Sequence, residues 1–185
     1  MGAAALVAVA AACGGGDDDT SATTAEATTE AQADGLTLTS TAFAEGGTIP
    51  VVNTCDGPDL SPQLAWAGVP DGTESFAVQM EDPDAGDFTH WIAWDIDGNA
   101  TMLREGASGV AADVPAEGLT DFGAPGYGGP CPPPGETHAY DVTLTALDAP
   151  LDLDPATATP ADFTGALAGA TVLDSATLSG SYTRG

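Results

Sequence analysis

From Leu36 onward, apolar residues recur at every second position instead of at helical spacing. In "SFAVQMED" Phe76, Val78 and Met80 share one face and Ala77, Gln79 and Glu81 the other, the alternation of a half-buried strand. In "HWIAWDI" Ile92, Trp94 and Ile96 fall on one face, and Asp97-Gly98 follows as a hairpin-type turn. "HAYDVTLTALD" groups Tyr140, Val142, Leu144 and Ala146 against Asp141, Thr143 and Thr145. A helical signal stands out near the end. Thr159 is a cap, Pro160 occupies the first turn and Asp162 follows, predicting a helix to about Gly169 and a last strand from Ser175 to Tyr182. Many short strands, abundant turn residues and one or two short helices predict a mainly β, antiparallel sandwich.

Following the same parity to the strand ends brings in chemistry. Asp82 continues the Phe76 row, His90 precedes the Ile92 row and His138 precedes the Tyr140 row. Asp82 and His90 flank the loop "PDAGDFT" and so lie at one end of a hairpin; His138 joins them if its strand runs alongside the second in the same direction. Three unrelated strand-end residues facing water is the alternative. It accounts for one strand better than for three, and these are the two histidines of the chain. A shared concave site is expected. The segment from Gly123 to Gly135, with five glycines and five prolines, feeds His138. Glycine admits close backbone approach and proline fixes φ, so this segment is read as a preshaped wall whose bare amides bind an anion without a lysine.

Charge narrows the partners. The 185 residues carry 28 acids against two bases, Arg104 and Arg184, and no lysine, for a net charge of −26. Nothing is available to neutralise phosphates along a duplex, which argues against nucleic acid, and the absence of lysine excludes a P-loop. The acidity reads as adaptation to a salty or acidic exterior, with plain solubility as the alternative. Residues 1–13, "MGAAALVAVAAAC", read as a lipoprotein-type signal ending in a lipidated Cys13, although Ala10 replaces the usual leucine and a basic leader is missing. Residues 14–35 are acidic and Thr/Ala-rich and read as a disordered linker. A domain over 36–185 would then be carried outside the cytoplasm on a cell membrane lipid anchor. Cys55 and Cys131 remain as a pair, either bridged or as two buried thiols; a bridge would contribute about 4 kcal/mol in the chain-entropy model and is the expectation.

Four stretches, "CDGPDLSPQLAW", "EDPDAGDFTHW", "GYGGPCPPPG" and "HAY", together resemble the phosphatidylethanolamine-binding protein family, in its bacterial Raf kinase inhibitor-like branch of YbhB/YbcL type. The resemblance runs from Leu36 to Arg184. It implies a β-sandwich with a small anion pocket formed by Asp82, Phe88, His90, Gly129, Pro130, His138 and Tyr140, supported by Asp59, Ser61 and Pro62. It also implies phosphate-like or carboxylate-like ligands, phospholipid head groups among them. Two departures stand out. Gly86 replaces the proline of Asp-Pro-Asp-Ala-Pro, implying a looser loop, and Ala139 replaces the arginine of His-Arg-Tyr, on the outer face by parity.

Binding of a small anion, with the histidines donating and Asp82 fixing an imidazole tautomer, is the reading we carry forward, without catalysis, cofactor or metal. Two alternatives share the same residues: a hydrolase using the Asp/His pair with Ser61 as nucleophile, for which no nucleophile elbow is present, and a two-histidine, one-carboxylate metal site. A third, with no residues assigned, is a module that inhibits an envelope or secreted protease. Trp66, Trp91 and Trp94 are read as core or pocket lining.

Overall fold

The computed structural model describes residues 35–185. The signal segment, Cys13 and all of the linker except Gly35 lie outside the described residues. Within them, β1 (Thr37–Thr39), β2 (Gly47–Thr48), β3 (Leu64–Ala67), β4 (Ser75–Asp82), β5 (Phe88–Asp97), β6 (Met102–Leu103), β7 (Ala116–Glu117) and β8 (Thr137–Leu147) precede the helix α1 (Pro160–Gly169), and β9 (Val172–Thr183) closes the chain. They form a three-stranded sheet, β1-β3-β6, and a six-stranded one, β2-β9-β8-β4-β5-β7. Pairing is antiparallel except between β2 and β9.

Two apolar layers hold the sheets. Between them, Leu38, Leu64, Trp66 and Leu103 meet Phe76, Val78, Met80, Trp91, Val142 and Leu144, with Trp66 and Phe76 edge-on at 5.2 Å. On the opposite face of the larger sheet, Ala77, Ile92, Trp94 and Leu147 are covered by Phe163 of α1. The helix has the expected bounds because its first turn is closed chemically. Thr159 Oγ1 accepts from the Asp162 amide while the Asp162 carboxylate accepts from the Thr159 amide, a reciprocal capping box with Pro160 in the first turn.

Covering both faces of the larger sheet breaks the simple parity of β5. The row Ile92, Trp94, Ile96 is split: Ile92 and Trp94 face the helix, whereas Ile96 joins Trp91 and Ala93 between the sheets. The register against β4 slips twice. One slip lies between the Phe76 and Val78 pairs, where Asp95 takes a left-handed φ of 58°, and the other lies between the Met80 and Glu81 pairs, at His90. Each is an extra residue on β5, a bulge that turns the following side chain to the other face. The turn at Asp97-Gly98 is likewise not a hairpin. Both neighbours of β5 are already β4 and β7, so the chain passes through an Asp97 carbonyl–Ala100 amide turn into β6, which pairs with β3 in the smaller sheet.

The acidity has a structural cost on the outer face. Glu81 of β4 stands directly opposite Asp141 of β8. Its carboxyl is pushed above the usual range by burial, then by Asp87, Asp141 and Asp121. Like charges opposed across strands destabilise a sheet by several tenths of a kcal/mol. An acid whose folded pKa is raised destabilises the fold fully above that pKa, and ceases to do so only where the unfolded chain is protonated as well. Glu81→Gln, which preserves the acceptor for Gln79 Nε2, is therefore expected to stabilise by about 0.5 kcal/mol at neutral pH. In denaturant melts the gain should begin to fall as pH drops through the raised Glu81 pKa, be gone below the ordinary carboxylate range, and shrink in molar salt.

Candidate functional site

The ends of three strands meet. β5 and β8 both run antiparallel to β4 and flank it on either side, so the C-terminal end of β4 and the starts of β5 and β8 share one end of the sheet. The expected side-by-side arrangement of the two histidine strands is thus replaced by one with β4 between them, and they still run in the same direction. Asp82 ends β4, His90 lies near the start of β5 and His138 near the start of β8. Together with Ala85, Phe88, Phe122, Cys131, Pro132 and Pro133 they line a cavity of about 280 Å³.

Asp82 is 3% exposed. Its Oδ2 lies 2.7 Å from His138 Nδ1 and its Oδ1 accepts from the Ala85 amide at 3.0 Å. That second bond caps a 3-10 turn over Pro83–Ala85, which closes at Gly86 with φ 73°. Proline cannot adopt this angle, so glycine at this position makes a tight left-handed closure here, not the looser loop implied by its substitution. The bond to Asp82 is the leading cause holding the His138 pKa above its ordinary value. The stability it provides is present below about pH 6.5 and is lost as pH rises through the raised pKa.

His90, 3% exposed, is the reverse case. Its ring packs edge-on at 5.2–5.3 Å against Phe88, Phe122 and Tyr140, and burial pushes its pKa down. His90 Nδ1 lies 2.6 Å from the Gly128 carbonyl, which can only accept, so Nδ1 carries the proton. The neutral ring then presents Nε2 as an acceptor, and Nε2 donates only in the imidazolium. Beneath it, the fully buried Tyr140 hydroxyl has no hydrogen-bond partner, and burial and the neighbouring Asp82 charge raise its pKa. His138 Nε2 has only the exposed Glu136 carboxylate, at 3.5 Å.

The glycine-proline wall is held from behind. Gly129 donates to Asp59 Oδ1 at 2.8 Å, Tyr127 OH to the Asn53 carbonyl at 2.6 Å, and the Tyr127 amide to Ser108 Oγ at 2.9 Å. Ser108 in turn donates through its amide to Ser61 Oγ at 3.1 Å and through its hydroxyl to Glu117 at 2.6 Å. Cys55 and Cys131 are bonded, Cα atoms 5.5 Å apart, linking the Asp59 loop to the wall across 76 residues. Asp121 exchanges backbone and side-chain bonds with Thr89, fixing the Phe122 loop to β5 one residue before His90.

This geometry sorts the residues read from the sequence. Asp82, Phe88, His90 and His138 line the cavity, whereas Tyr140 lies under His90. Gly129 and Pro130 are buried behind the wall. The Gly128 amide is taken by the His90 carbonyl, the Gly129 amide by Asp59, and Pro130 has none, so these positions do not offer the bare amides expected of them. Asp59, with φ 61°, and Ser61 support the wall. Ser61 is 1% exposed and is absent from the cavity lining, so it is not placed to act as a nucleophile. Pro62 is buried beside it. Cys131, Pro132 and Pro133 belong to the segment read as the wall, whereas Ala85 and Phe122 were missed. The available signal for Phe122 was a lone aromatic in the turn-rich stretch "LTDFGAPG", with no alternating partner to explain it as core.

Fold and site together define a two-sheet β protein with a small pocket at one end of its larger sheet, built on a carboxylate–imidazole pair and a second, desolvated imidazole. The chain belongs to the phosphatidylethanolamine-binding protein family, whose sequence profile matches residues 39–183. It is 42% identical over 154 residues to a UPF0098 protein of Methanothermobacter thermautotrophicus, covering 81% of this chain and all of that one. It is 39% identical over 137 residues to LppC of Mycobacterium tuberculosis, which its name proposes to be a lipoprotein, covering 71% of this chain and 66% of that protein. Among solved structures, Escherichia coli YbcL, described as a new member of the mammalian PEBP family, superposes with a TM-score of 0.75 at 29% identity, covering 83% of this chain and 100% of YbcL.

Two outcomes test the site as built. In Asp82→Asn the His138 titration midpoint, followed by histidine NMR, should fall back towards about 6.5, and further than that of His90. Gly129→Ala would drive a Cβ into the Asn53 carbonyl and the Asp59 carboxylate. It should cost about 2 kcal/mol or more in denaturant unfolding.

Proposed function

We propose that this protein binds a small anionic group, phosphate-like or carboxylate-like as on a phospholipid head group, between His138 and His90, and does so without turnover. The observation that carries the reading is a pair of imidazoles on one cavity. His90 and His138 both line it, His90 Nε2 makes no hydrogen bond among the described residues, and His138 Nε2 faces only an exposed carboxylate at 3.5 Å. An oxygen-rich ligand between the rings would give both nitrogens a partner. His138, whose charged form is favoured by its bond to Asp82, supplies the first donor. The chain has no lysine, Arg104 is paired with Asp113 and Arg184 with Asp56, so protonated imidazole is the cation this pocket can offer. The same reading makes the protein extracytoplasmic and anchored to the cell membrane through lipid on Cys13, supported by the signal-like residues 1–13 and by the similarity to LppC.

Because neutral His90 cannot donate from Nε2, anion binding should take up a proton. Sulfate, fully ionised across the working range, isolates the protein's contribution. Its affinity is expected to rise as pH falls from 7 towards 5, by at most about tenfold per pH unit for each proton taken up. It should weaken further above the raised pKa of His138. Calorimetric titration checks this, with histidine NMR expected to show both rings responding to sulfate and to phosphoethanolamine. Affinity independent of pH, or no response from either ring, would overturn the reading. Ester hydrolysis abolished in Asp82→Asn would replace binding with catalysis.

A further inference from the structure

A second cavity of about 250 Å³ lies against the first, lined by Asp59, Thr120, Ala124, Pro125, Tyr127 and Gly129 along with other wall residues. The two share Phe122 and Cys131. Phe122 is 49% exposed. Its ring meets Phe88 at 4.8 Å and His90 at 5.2 Å, and rests on Gly128, where any Cβ would strike it. The partition between the cavities is therefore an aromatic ring set on the backbone and accessible from outside.

Polar groups are distributed unequally across that partition. The first cavity is lined by the two imidazoles, whose Nε2 atoms lack close partners. In the second, the Thr120 hydroxyl and amide both donate to the Ala124 carbonyl and the Tyr127 hydroxyl to Asn53. The amides of Tyr127, Gly128 and Gly129 are likewise engaged, and Pro125 has none. The charge on its wall is Asp59, which repels a second anionic group. Such a cavity takes an uncharged group that needs no hydrogen bonds. For scale, a dry cavity of about 150 Å³ accommodates benzene, so this one accommodates a single ring with a short linker and is too small for a pair of acyl chains.

Resting on the anion-binding reading, we infer that the second cavity is an apolar subsite of the first. Phe122 then selects ligands in which the anionic group carries one compact aromatic substituent, as in an aryl phosphate ester or aryl carboxylate. Edge-to-face contact with Phe122 and Tyr127 favours a ring over an alkyl group of equal size.

The test is calorimetric titration of the full chain with sulfate, methyl phosphate and phenyl phosphate, in the wild type, in Phe122→Ala and in Ala124→Leu. The leucine fills the second cavity from a position that does not line the first. Phenyl phosphate should bind the wild type about tenfold or more tighter than methyl phosphate. That ratio should fall towards one in both variants, while sulfate binds Ala124→Leu as it binds the wild type. Equal binding of the two esters by the wild type, or a ratio unchanged in both variants, overturns the subsite and leaves the anion site standing. Absence of binding by all three anions overturns both.

Discussion

A single inserted residue in β5 decides whether this molecule has a site at all. Met80 pairs with Trp91, and the next residue of β4, Glu81, pairs with Thr89, leaving His90 as the extra residue. With strict alternation His90 would share the face of Ile92 and Trp94, under the helix, where a titratable ring would be buried in apolar contacts. The bulge carries it to the side of Asp82 instead, and places its ring on Tyr140 and between Phe88 and Phe122. Bulges beside binding sites redirect one side chain in this way at the cost of local pairing. Here the unpaired position is secured by the His90 Nδ1 bond to Gly128 and by the Thr89–Asp121 exchange on its other side.

With His90 in place, the two imidazoles are driven in opposite directions by their surroundings. The bond to a carboxylate favours the charged form of His138, and desolvation favours the neutral form of His90. Neighbouring groups whose environments push their pKa values apart can differ in charge at one pH. For the proposed anion, this difference bears on a chain of net charge −26, whose field opposes the approach of any anion. Attraction would have to come from contacts at short range inside a desolvated cavity, where electrostatic interactions are stronger and salt screens them less.

Short-range selectivity requires rigid walls, and the molecule spends much of its loop chemistry on rigidity. The Asp59 loop is tied to the wall by the disulfide and the Gly129 amide, and to the end of β9 through Asp56, which accepts from Tyr182 OH at 2.7 Å. The residues that perform this bracing, Asn53, Asp59, Ser61, Ser108, Glu117 and Tyr127, come from loops and from β7, and none of them lines the cavity of Asp82, His90 and His138. The four motif stretches thus divide into a few lining residues and a larger set that holds backbone in place.

The sequence by itself determined the local elements. Two-residue alternation marked β4 and β8, and the Thr159–Asp162 box marked α1, because these depend on neighbours within a few positions. Strand-end parity raised the expectation that Asp82, His90 and His138 converge, and the family likeness added to it. Only the tertiary structure decided how they do so. The slips at Asp95 and His90, the passage of Asp97-Gly98 into the second sheet and the central place of β4 depend on strands far apart in the chain. So does the consumption of the Gly128 and Gly129 amides by His90 and Asp59. Alternation along one strand cannot show an extra residue that is defined only against its partner's register, nor which donors in a loop are already taken by residues about 40 to 70 positions away.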